Sequence, residues 1–81
     1  MRVDQMKEVR LHREWIRYYL LRSGRKRQSY GICVTYRGEA VVLPGITCSE
    51  TEAKCLLRRM VQGKVTPVTA RDIVEDWLCG R

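Results

Sequence analysis

Apolar and polar positions change rhythm along the 81-residue chain. Residues 28–36 alternate. Tyr30, Ile32, Val34 and Tyr36 point one way, and Ser29, Gly31, Cys33 and Thr35 the other. That period of two belongs to a strand with one buried face. Arg37-Gly38 reads as a turn, and residues 39–43 as a short strand closed by Pro44-Gly45, because proline cannot donate to a ladder. Residues 13–22 fit two templates. As a helix, Val9, Ile16, Tyr19 and Leu20 share a stripe; as a strand, Ile16, Tyr18 and Leu20 form an apolar face opposite Trp15, Arg17, Tyr19 and Leu21. Aromatic and β-branched content favours the strand, and Ser23-Gly24 supplies a turn after it. Residues 1–10 show no clean period and read as a tail or lead-in.

The period then becomes helical. Ala53, Leu56, Leu57, Met60 and Val61 recur at i, i+3, i+4, i+7 and i+8, one continuous stripe. Ser49 and Glu52 form a capping box at its start, Glu50 and Lys54 an i,i+4 ion pair, and Gly63 suits the C′ position. Ala70, Ile73, Val74, Trp77 and Leu78 repeat the stripe up to Gly80. For this second helix the expected N-cap is Thr69, with Asp72 at N3 and Val68 stapled to Ile73. Pro67 falls in the linker.

The elements read β-β-β-α-α. A lone three-stranded sheet needs cover on one face, and two amphipathic helices need something to cover. The expected fold is therefore α+β: a three-stranded antiparallel meander followed by two short helices packed on one face, in a single domain over residues 11–80.

Several segments together carry a resemblance: Tyr30-Gly31-Ile32, Pro44-Gly45-Ile46-Thr47, Thr66-Pro67-Val68-Thr69 and the run from Arg71 through Asp72, Ile73, Val74, Glu75, Asp76 and Trp77 to Leu78. The chain resembles a family of small proteins from clostridia-like bacteria, classed only as a domain of unknown function. The resemblance covers residues 13–78 and is most specific over residues 66–78. It implies a stand-alone bacterial protein and supports the strand reading of residues 13–22. It brings no activity, cofactor or catalytic residue with it.

Composition narrows the classes. Sixteen Lys+Arg against nine Asp+Glu leave a net charge of +7. Residues 1–38 hold 10 Lys/Arg and 3 acids, whereas residues 39–81 hold six of each. The excess is densest over residues 10–27. No apolar run approaches the ~18–20 residues of a membrane helix, and the mixed-charge start lacks a signal-peptide core, so the expected location is the cytoplasm. Cys33, Cys48, Cys55 and Cys79 show no C-x₂₋₄-C pair, and His12 is the single histidine. Neither a zinc site nor a disulfide framework follows from such spacing. Asp72, Glu75 and Asp76 share one helix face as solvated acids, with no cleft to tune them into an acid–base pair. The reading is non-enzymatic, with no metal and no cofactor.

The remaining candidate is the sheet face left open by the helices. Trp15, Arg17, Tyr19 and Leu21 would lie there beside Gly31, Cys33 and Thr35. Two uses compete with the simpler possibility that Val9 and Leu11, which share its parity, fold over it. An open apolar face marks a protein contact, which makes the chain a regulatory or adaptor-type binding module acting on a protein partner or as a homodimer. Aromatics interleaved with arginine also suit base stacking. In that alternative, a weak nucleic-acid binder, Arg13, Arg17, Arg22, Arg25, Lys26 and Arg27 would meet phosphates, and small Gly31 would admit a flat group.

Overall fold

A computed structural model describes residues 2–24 and 26–80. Four strands, β1 (Arg2–Leu11), β2 (Glu14–Ser23), β3 (Ser29–Tyr36) and β4 (Glu39–Thr47), precede helices α1 (Glu50–Gln62) and α2 (Pro67–Cys79). The sheet is antiparallel throughout, in the order β1-β2-β3-β4. The α+β class and the two covering helices agree with the sequence reading, but the sheet has four strands, not three. The added strand is β1, which takes up the segment expected as a lead-in. Residues 13–22 resolve in favour of the strand.

β1 has a weak pattern for a physical reason. It is an edge strand, and only Val9 and Leu11 pack against the core. Its remaining positions are polar, charged or exposed. A bulge between Val3 and Gln5 also breaks the alternation. The turn to β2 is the two residues His12 and Arg13, with His12 left-handed at φ 59°. Such tight turns need positive φ to match strand twist.

The helices cover one face. Ile16, Tyr18, Leu20, Ile32 and Val34 from the sheet meet Leu56 and Met60 from α1, all essentially inaccessible, with Ala70 and Val74 from α2 completing the core. The Tyr18 hydroxyl donates to the Val65 carbonyl at 2.7 Å. This bond ties β2 to the connection between the helices. Burial pushes the Tyr18 phenol up to about 12.

β4 runs past Pro44-Gly45 instead of stopping there. Tyr30 pairs with Thr47 and Ile32 with Leu43, so three β4 residues oppose Gly31 alone. Proline is tolerated because β4 is an edge and the chain bulges at that point. Gly45 supplies a left-handed φ of 63°. Gly31 is required by proximity: a Cβ there would sit 2.5 Å from the Leu43 carbonyl oxygen and 2.7 Å from Pro44 Cα.

At α1, Ser49 Oγ accepts from the Glu52 N–H at 3.2 Å, as a capping box requires. The returning arm differs. The Ser49 N–H donates to Thr47 Oγ1 at 3.1 Å, and that hydroxyl donates to Glu52 Oε2 at 3.0 Å. The threonine thus relays between Glu52 and the cap. Gly63 follows the helix in a right-handed conformation, and the left-handed step falls on Lys64 at φ 50°. α2 begins three residues before the expected start. Thr66 is the N-cap and Pro67 opens the first turn, where its missing N–H costs nothing. Thr69 lies inside the helix and donates to the Thr66 carbonyl. Val68 points outward, 74% exposed, rather than stapling Ile73.

Candidate functional site: the helix-free sheet face

Strand register decides what shares the open face. The two-residue β1–β2 turn pairs Val9 with Ile16 and Arg10 with Trp15. Odd positions of β2 therefore align with even positions of β1 up to the bulge. Val9 and Leu11 lie on the helix side and do not fold over the open face. Met6 instead stands opposite Tyr19, and beyond the bulge Val3 stands opposite Leu21. On the other side, Cys33 pairs with Val42 and Thr35 with Ala40.

The face is accordingly broader than Trp15, Arg17, Tyr19 and Leu21. Its large exposed apolar residues are Val3 at 59%, Met6 at 47%, Trp15 at 47% and Val42 at 50%. Tyr19 is half-buried, and Leu21 is buried at 7% and offers little to a partner. Gly31 offers nothing either, since the β4 backbone occupies the space over it. The expected approach of a flat group there is closed. Val3, Met6 and Val42 escaped the sequence reading. A two-residue turn at His12-Arg13 would have been the signal for Met6, because it fixes the parity of β1, and the turn at Arg37-Gly38 the signal for Val42; Val3 reaches this face only through the β1 bulge.

Charge on this face is held in cross-strand pairs. Arg17 Nε lies 3.5 Å from Glu8 Oε1, and the Arg10 guanidinium lies 5.7 Å from the centre of the Trp15 ring. A shallow depression of about 430 Å³ opens beside Trp15 and Arg17, bounded by Tyr36, Arg37 and Glu39 at the β3–β4 turn. Burial pushes the Cys33 thiol up from its ordinary value, which disfavours a reactive thiolate. Cys48, Cys55 and Cys79 are exposed. Among the described residues no group of three His, Cys, Asp or Glu side chains is placed to hold a metal, and no helix is long and apolar enough to cross a membrane.

The six cations considered for phosphate contact are dispersed. Arg13 sits in the β1–β2 turn and Arg17 on the helix-free face. Arg22 shares the side of its partner Tyr30, which is the helix side. Lys26 and Arg27 lie in the β2–β3 connection; Arg25 lies outside the described residues. The ten residues of β2 separate the two ends by about 30 Å at the usual rise per residue.

What fold and face define together is a small α+β domain with an uncovered, apolar-centred sheet surface. The chain belongs to the Family of unknown function (DUF6514), whose model matches residues 2–80. No curated protein and no solved structure matches it.

Proposed function

We propose that this chain is a non-enzymatic binding module of the cytoplasm that docks another protein through its helix-free sheet face. One observation carries the reading. Among the described residues six large apolar side chains stand well exposed; four of them are Val3, Met6, Trp15 and Val42, and register gathers these on one face. Clustered exposure of this kind marks a contact surface, and tryptophan, which here stands at the β1–β2 end of that face, is a residue type often dominant in binding. A foreign partner is favoured over a second copy, because two chains of +7 repel one another. A nucleic-acid role draws less support: Trp15 and the β2–β3 cations lie at opposite ends of the sheet.

The test is photo-crosslinking in cells from a photoreactive residue at Met6 or at Val42, with Val68 on α2 as control. The reading expects an adduct from both sheet positions, lost with Trp15→Asp and absent from position 68. An adduct of twice the chain mass would identify a second copy. Adducts independent of Trp15, or none, would refute the proposal.

A further inference from the structure

Beside β1, on the helix side of the sheet, lies a second surface with different chemistry. α1 passes over the sheet and leaves a groove of about 400 Å³ against β1, floored by Leu57 and Val61 and rimmed by Lys7, Lys54 and Arg58. Glu50 holds Lys54 at 3.0 Å, and Asp4 is near enough to act on the same ammonium. Among the described residues Lys7 and Arg58 have no ion pair. The groove therefore carries uncompensated positive charge along an apolar floor. The outer edge of β1 bounds it. In the order β1-β2-β3-β4 that edge has no neighbour among the described residues. Residues 5–11 keep regular register with β2 and contain no proline. The opposite edge, β4, is spoiled as a template by Pro44 and its bulge.

An unpaired regular edge is a template for another strand. Strand addition takes affinity from main-chain hydrogen bonds and specificity from pockets for alternate side chains. We propose that β1 binds an extended acidic peptide segment as a fifth strand, with alternate carboxylates of the peptide lying in the groove against Lys7 and Arg58. The occupant follows from the charge: every second side chain of an added strand points to the helix side, where it meets cations. This surface is independent of Trp15, which stands on β2 and on the other face.

The experiment is a fluorescence-anisotropy titration with a labelled ten-residue peptide of alternating glutamate and valine. Two further versions are N-methylated at the amides of one edge or of the other. The parent should bind, and its all-lysine counterpart should not. One methylated version should bind like the parent and the other should lose affinity, since only one edge faces β1. Lys7→Ala with Arg58→Ala should weaken binding roughly 2- to 30-fold, the range for two partly screened ion pairs. Trp15→Ala should leave it unchanged. Equal binding of both methylated peptides would show charge attraction without strand addition and overturn the proposal. So would an inert parent peptide, an ineffective double variant, or an equal loss in Trp15→Ala.

Discussion

Tyr18→Phe removes one atom from the centre of the molecule. The lost hydroxyl donates at 2.7 Å to the Val65 carbonyl, in a region where Tyr18 has no accessible surface and Val65 is buried. The carbonyl keeps its cost of desolvation and loses its donor, a change of about 1–2 kcal/mol. In a domain of this size that lowers Tm by roughly 5–15 °C. The pH dependence is more discriminating. Burial raises the phenol from 10.0 to about 12 in the folded chain. An acid whose folded value is raised is held neutral by the fold, so its contribution is complete below about pH 10. It then declines as pH rises, because the unfolded chain ionises first. The wild type should lose about 1.4 kcal/mol from this source by pH 11 and about 2.7 kcal/mol above pH 12. Tyr18→Phe has no such loss. The two stabilities should converge near pH 11, after which the variant becomes the more stable. Urea unfolding at pH 7, 9, 10, 10.5 and 11, followed by tryptophan fluorescence, measures the difference directly. Other lysine, cysteine and tyrosine titrations are common to both proteins and cancel. A stability difference constant across that range would refute a buried, neutral Tyr18.

Gly31→Ala drives a Cβ to 2.5 Å from the Leu43 carbonyl oxygen, and the β4 backbone must move. The expected cost is about 2–3 kcal/mol, and an unchanged urea midpoint would refute the close approach. Trp77 is half-buried and packs against the core beside Ile73. Trp77→Ala should cost about 2–3 kcal/mol, less than the ~3–5 of a fully enclosed tryptophan; calorimetry showing no shift would place the ring outside the fold.

The parts legible in the sequence were those whose side chains face one dominant environment. Tyr30, Ile32 and Val34 alternate cleanly because helices cover one side of a central strand. Ala53, Leu56, Leu57 and Met60 recur at helical spacing because α1 lies flat on that sheet. β1 was not legible, since an edge strand meets solvent along much of both faces and its bulge shifts the alternation partway. The expected start of α2 falls three residues late because Thr69 has the same capping chemistry as Thr66. The choice between them depends on Pro67, which serves equally as a linker or as a first helical residue. Gly31 reads as open surface because the β4 bulge that closes over it is a long-range feature.

Strand register also decides where the net charge does and does not act. On the helix-free face Arg17 faces Glu8 and Arg10 lies over Trp15, so the arginines nearest the exposed aromatic ring already have cross-strand partners. The excess lies elsewhere: at the sheet ends in Arg13, Lys26 and Arg27, and in the groove at Lys7 and Arg58. β1 therefore has apolar Met6 on one side and cationic Lys7 on the other, at successive positions. An extended segment added along its edge would meet both, because successive side chains of a strand alternate between faces. A chain of alternating acidic and apolar residues satisfies both sides at once. A uniformly acidic one leaves the Met6 side uncovered, and so should bind β1 less tightly at equal charge.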